Sequence, residues 1–277
     1  MAHEGVEPPR DCALCPRLNA FIADWRRQEP EWHNAPVSTF APSSDDDVRL
    51  LIVGLAPGLR GANRTGRPFT GDYAGTLLYE TMTRFGFAQG RFEARPDDGL
   101  TLVDAAVTNA VRCVPPQNKP VGSEINTCRE QFLAPTLRRF PRLKAVLTLG
   151  RIAHESTVRA LGFPLRALPF SHGAAQDAGA IRVFYSYHCS RYNTNTGRLT
   201  EAMFVEVFAE ARAFLGDAGC YKIASEAAGR PASHPFSFKS LAFSRFQSRL
   251  FTVSRLSCSF LPRATASCSL AMPRALK

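Results

Sequence analysis

A chain of 277 residues that is 45% hydrophobic can bury a full core, and with 21% charged residues it lies outside the composition of disordered chains. No run approaches the roughly 18 apolar residues of a membrane helix, and Met1–Arg10 lacks the apolar stretch of a secretory signal, so a cytoplasmic protein that does not enter a membrane is expected. The net charge of +10 points weakly to a polyanion, because from Asp217 onward nine Lys/Arg face two Asp/Glu, leaving 25 basic and 22 acidic residues before it.

The first apolar run, Arg49–Gly54 (RLLIVG), is continuous and ends in glycine, the form of a strand covered on both faces. Similar runs follow at Thr101–Asn109, Lys144–Gly150 and Ile181–Tyr187. Between them the spacing changes to threes and fours. Leu77, Leu78, Met82 and Phe85 predict a helix started by Asp72, and Ile125, Cys128 and Phe132 a second opened by Ser123. Ile152–Leu161 forms a third, and Phe204, Val207, Phe208, Ala211 and Phe214 mark a fourth. Strands alternating with helices predict a three-layer α/β/α domain over residues 1–216, with a central, mainly parallel four-stranded sheet. Residues 217–277 mix Ser, Arg and Phe without sustained periodicity, and a basic, disordered tail is expected there. Non-specific polyanion affinity and a tail without function both remain open for it, and its Cys220, Cys258 and Cys268 show no ligand spacing.

In parallel sheets function collects beyond the carboxyl ends of the strands. The first strand is followed there by VGLAPGLRGANRTGRPFTGD, the second by Asn109-Ala-Val-Arg-Cys113, and the fourth by His188-Cys-Ser-Arg-Tyr-Asn193. The glycine-rich stretch is neither a Walker loop, since no Gly-Lys-Ser/Thr follows, nor a G-x-G-x-x-G turn. Cys12 and Cys15 form a C-x2-C pair, whereas Cys113 and Cys128 are separated by fourteen residues. A zinc ribbon normally shows a second tight pair, so iron–sulfur ligation leads and zinc is the alternative. Cys113 and Cys128 could also be ordinary buried thiols. From residue type alone, Asp72 is a helix cap or a catalytic carboxylate, Phe69 a core ring or a stacking face, Asn109 a turn residue or a base reader, and His188 a structural residue or a hydrogen-bond donor.

Taken together, Gly54-Leu-Ala-Pro-Gly58, Gly61-Ala-Asn-Arg-Thr-Gly-Arg67, Phe69-Thr-Gly-Asp72, Thr108-Asn-Ala-Val-Arg-Cys-Val-Pro-Pro116 and His188-Cys-Ser-Arg-Tyr-Asn-Thr-Asn-Thr-Gly-Arg-Leu-Thr200 resemble the uracil-DNA glycosylase superfamily. Within it they look like family 5, the iron–sulfur enzymes often called type B, over about Cys12 to Gly216. The resemblance implies an α/β/α fold, a 4Fe-4S cluster on Cys12, Cys15, Cys113 and Cys128, and excision of uracil and other deaminated bases such as hypoxanthine or xanthine from DNA. It further implies a flipped base stacked on Phe69, read by Asn109 and released with help from His188. Ala56 stands where relatives outside family 5 place an Asp or Asn that directs water. That leaves Asp72 either to position the water or to stabilise the cationic sugar. Arg60, Arg64, Arg67, Arg191 and Asn193 are expected at the DNA backbone. No lysine sits in these motifs to form a Schiff base, which favours a monofunctional hydrolase. A monomer is expected, and a non-catalytic iron–sulfur DNA-binding protein is the rival reading.

Overall fold

The computed structural model describes residues 6–216, so the tail expected at 217–277 lies outside the described residues. Helix α1 spans Pro16–Gln28, strand β1 Leu50–Gly54, the short helix α2 Ala62–Thr65 and helix α3 Tyr73–Arg84. A small hairpin of β2 (Ala88–Gln89) and β3 (Thr101–Leu102) precedes β4 (Ala105–Asn109). Helix α4 (Gly122–Cys128) runs through a π-helical turn at Arg129–Leu133 into α5 (Ala134–Arg139). There follow β5 (Ala145–Leu149), α6 (Arg151–Ala160), β6 (Ala175–Ala178), β7 (Ile181–Ser186), α7 (Arg191–Asn195) and α8 (Glu201–Phe214).

The main sheet has five strands in the order β4-β1-β5-β7-β6, not the four expected. Four of them are parallel, and β6 adds an antiparallel edge against β7. Its sequence, Ala-Gln-Asp-Ala, carries no β-branched residue and only Ala178 is buried, so there was no apolar run to find. The expected strand Thr101–Asn109 is also two pieces. Asp104 takes a left-handed backbone (φ 56°), and the residues before it pair with β2 instead of joining the sheet.

Every residue of β1, β4 and β5 is buried, which accounts for their unbroken apolar sequences. Alternate side chains of β1 feed opposite layers. Leu50 and Ile52 pack with Leu78 and Met82 of α3 and Phe204 and Phe208 of α8. Leu51 and Val53 pack with Leu137 of α5 and Val158 of α6. Each fully buried Leu or Ile contributes about 1.5–3 kcal/mol, so either layer is a large part of a marginal total. A third apolar group joins Leu18 and Ile22 of α1 to Val111, Val114 and Phe132.

His154 of α6 sits inside the second layer, only 1% exposed, against the edge of Tyr185 at 4.3 Å. Its Nε2–H donates to the Leu168 carbonyl at 2.8 Å, which leaves Nδ1 unprotonated, buried and without a partner among the described residues. Burial therefore pushes its pKa below the ordinary 6.5. The unfolded chain takes up this proton first as pH falls through 6.5, so stability is full above that pH and declines below it. His154→Gln, which keeps a donor for Leu168, is expected to flatten the fall in urea-unfolding stability between neutral pH and about pH 5 relative to the parent. An unchanged pH slope in the variant would assign that fall to other groups.

Candidate active site

The carboxyl ends of β1, β4 and β7 open onto one pocket of about 310 Å³. Its lining includes Ala56, Phe69, Asp72, Asn109, Asn118 and His188, drawn from separate segments of the chain. Asn109, 3% exposed, ends β4 opposite Gly54, the last residue of β1, and its side chain lines the pocket. Gly54 is required by close approach. A Cβ there would lie 2.5 Å from both Asn109 Oδ1 and the Phe69 Cζ. Gly54→Ala is therefore expected to fold and yet displace both side chains, costing about 10²-fold in turnover. A full-rate Gly54→Ala protein would show that neither needs its present place.

Phe69 is 9% exposed and stands 6.0 Å from the His188 ring, nearly parallel to it. Its φ of 55° is left-handed, a conformation that costs an L-residue about 1–2 kcal/mol. The backbone around it is tightly held. Tyr79 Oη–H donates to the Pro68 carbonyl at 2.6 Å, and Thr70 Oγ1–H to the Arg67 carbonyl at 2.7 Å. The Phe69 carbonyl also abuts Gly75, where a Cβ would come within 1.9 Å of it.

Asp72 is exposed at the mouth and caps α3, one carboxylate oxygen accepting the Gly75 N–H at 3.1 Å. The cap expected from sequence and a place in the pocket thus hold together. His188 is partly buried at the end of β7. Burial pushes its pKa below 6.5 and the Asp72 charge opposes that shift in part. The imidazole is accordingly neutral at physiological pH. Asn193 braces this loop, donating from Nδ2 to the His188 carbonyl at 2.8 Å, so its amide is committed within the protein.

Of the four arginines expected at a DNA backbone, Arg60 and Arg64 are exposed beside the pocket with no carboxylate partner among the described residues. Arg191 is exposed and lies over the Tyr73 ring, 5.7 Å from its centre. Arg67 is a correction. It is 5% exposed and forks onto Asp98, because its segment turns inward under the β2–β3 hairpin. Sequence reasoning also missed Asn118, which follows Gln117 in two consecutive left-handed residues (φ 55° and 58°) of the loop after Cys113. It missed a neighbouring groove of about 280 Å³ that shares Leu55 and His188 with the pocket. There Arg151 and Arg198, both exposed, lie over Phe170 and Tyr187 with no carboxylate partner among the described residues. Only the Asn118 loop left a sequence cue, in its run of prolines.

Cys12, Cys15, Cys113 and Cys128 line a second, small and mostly apolar cavity with Leu18, Val111 and Phe132. Cys15 begins α1, Cys113 follows β4 and Cys128 ends α4. The Arg112 N–H donates to Cys128 Sγ at 3.2 Å. The fully buried Arg112 guanidinium is held by Glu7 at 3.0 Å, Thr39 at 2.8 Å and Thr136 at 2.8 Å. Burial pushes the Cys128 thiol up to about 11 and Cys113 higher still, so neither suits a free nucleophile. Among the described residues no three His, Cys, Asp or Glu are grouped to hold a single metal ion.

The chain is thus an α/β/α sheet with a pocket at its carboxyl edge, and residues 41–212 match the uracil DNA glycosylase superfamily, to which the chain belongs. Within that class it is similar to the type-5 uracil-DNA glycosylase of Thermus thermophilus, 42% identical over 216 residues, covering 74% of this chain and 94% of that one. The type-5 uracil-DNA glycosylases of Pyrobaculum aerophilum and Mycobacterium leprae are each 37% identical, over 76% and 74% of this chain and 90% and 92% of theirs.

Proposed function

We propose that the protein is a DNA glycosylase that hydrolyses the N-glycosidic bond of uracil, and of other deaminated bases such as hypoxanthine or xanthine, in DNA, initiating base excision repair. The observation that carries this is the meeting of Phe69, Asp72, Asn109 and His188 around one pocket. A base flipped from the duplex enters that pocket and stacks on Phe69. The Asn109 carboxamide offers a donor and an acceptor to its edge. As the bond breaks, negative charge develops on the departing base, and the neutral His188 imidazole donates a hydrogen bond to it; a preorganised donor of this kind contributes about 2.7–4 kcal/mol. Asp72 faces the sugar, where its carboxylate positions the attacking water or offsets the oxocarbenium charge. Among the described residues lining the pocket there is no lysine, in keeping with hydrolysis and no lyase step.

Arg60, Arg64 and Arg191, joined by Arg151 and Arg198 of the adjoining groove, suit phosphate contacts that weaken with salt. Cys12, Cys15, Cys113 and Cys128 would hold a 4Fe-4S cluster. Four thiols facing one mostly apolar cavity support this. When bound, the cluster ties the start of α1, the loop after β4 and the end of α4 together. The protein is taken to act as a monomer.

The test is incubation with duplex and single-stranded oligonucleotides carrying uracil, hypoxanthine or xanthine, followed by alkaline cleavage at abasic sites. Cleavage at uracil is expected. Failure on every substrate by iron-loaded protein would leave a DNA-binding protein without turnover.

A further inference from the structure

Arg67 is almost wholly buried, yet its surroundings are more elaborate than a core residue needs. The guanidinium lies under three rings, 5.3 Å from the centre of Phe40, 5.6 Å from Tyr79 and 5.5 Å from Phe92. It forks onto both oxygens of Asp98 at 2.8 and 2.7 Å, a bidentate geometry that fixes direction as well as distance. The Asp98 side chain is fully buried and also accepts the N–H groups of Glu93 at 2.9 Å and Leu100 at 3.1 Å. The pair therefore locks two segments together: the loop between β2 and β3, and the chain entering Phe69.

None of the residues lining the pocket comes from that β2–β3 loop. Its influence passes through the backbone. Arg67 is two residues before Phe69, its carbonyl accepts the Thr70 hydroxyl, and the Pro68 carbonyl accepts Tyr79, one wall of the cage around Arg67. A bulky residue keeps a left-handed φ only where its surroundings over-determine it. We propose that Arg67 and Asp98 are positioning residues, a buried clamp by which the β2–β3 loop holds Phe69 in its left-handed conformation facing the pocket. The inference rests on the excision reading for its kinetic consequence, and on the geometry alone for its structural one.

Asp98→Asn keeps shape and loses the charge that orders the fork; Arg67→Lys keeps charge and loses the fork. In iron-loaded protein, each is expected to lower single-turnover uracil excision about 10²-fold, with affinity for undamaged duplex within about twofold because the exposed arginines are untouched. The same Asp98→Asn change in a Phe69→Ala background should cost less than about threefold, since the group it positions is gone. Equal losses in both backgrounds, or full activity in Asp98→Asn, would overturn the clamp. Fluorine NMR of fluorophenylalanine-labelled protein, with the Phe69 signal assigned from Phe69→Leu, reads the position directly. That signal should move or broaden in Asp98→Asn. An unmoved signal refutes the proposal even if the parent protein excises nothing, whereas a moved signal in an inactive parent refutes only the excision reading. Should the single variants fail to fold, Arg67→Met/Asp98→Leu replaces the pair by apolar groups, a change buried ion pairs often tolerate. Full excision with an unmoved Phe69 signal in that protein would likewise overturn the proposal.

Discussion

Asp72→Asn is expected to slow single-turnover uracil excision by about 10²–10⁴-fold while leaving the fold intact, the range by which a positioned catalytic carboxylate ordinarily contributes. The separation of effects follows from the two tasks of the residue, one seen in the structure and one proposed. Its structural task is to cap α3, accepting the Gly75 N–H at 3.1 Å. Asn caps a helix about as well as Asp, so only the favourable charge at the helix N-terminus is lost, about 0.3–1 kcal/mol. The catalytic task proposed for it needs the negative charge, which an amide cannot supply to a cationic sugar or to the water it would position. The first motif offers no substitute, because Ala56 lines the same pocket without a polar atom on its side chain. Single-turnover rates with saturating protein, read beside a thermal melt, make the comparison. A variant that excises at near the parent rate would remove Asp72 from the mechanism, and one that melts far below the parent would make the cap its main role.

Asp72 shows why so much of the site was legible in the sequence. Residues that end buried strands or begin helices are fixed in place by local rules, so Gly54, Asn109, Asp72 and His188 could be assigned to one edge of the sheet from apolar runs and caps alone. What they would meet there was carried by the motif resemblance, not by periodicity. The misreadings fall where the decisive partner is distant in sequence. Arg67 looks like its neighbours Arg60 and Arg64, and only the folded hairpin brings Asp98, 31 positions later, to bury it. Arg151 and Arg198 join one groove from opposite sides of β6 and β7, and nothing local marks either. Strand β6 was invisible for the opposite reason: half-exposed at an edge, it has no apolar face to announce.

Cys128→Ser is expected to abolish tight iron binding and, with it, both excision and much of the thermal stability. On the proposed reading the parent protein carries about four irons per chain and a broad visible absorbance. The four thiols come from parts of the chain that are also joined by packing of Leu18 and Ile22 on Val111, Val114 and Phe132 and by the fork of Arg17 on α1 onto Glu124 of α4 at 2.8 and 2.7 Å. A tie between Cys15 and Cys113 closes a loop of roughly 100 residues, for which the chain-entropy treatment of a cross-link gives about 4–5 kcal/mol. In a domain of this size, such a loss lowers the melting temperature by on the order of 10 °C. Activity suffers separately from stability. Ala56 and Leu59 of the first motif pack on the cysteine-lined cluster, and Asn118 hangs in the segment between Cys113 and Cys128, so two walls of the pocket rest on the tie. Excision measured well below the variant's melting temperature should therefore still be impaired. Iron analysis, absorbance and melting of parent and variant decide the matter. Stoichiometric zinc without iron in the parent would replace the cluster by a zinc site, and a Cys128→Ser protein with the parent's melting temperature and rate would reduce the four cysteines to ordinary core thiols.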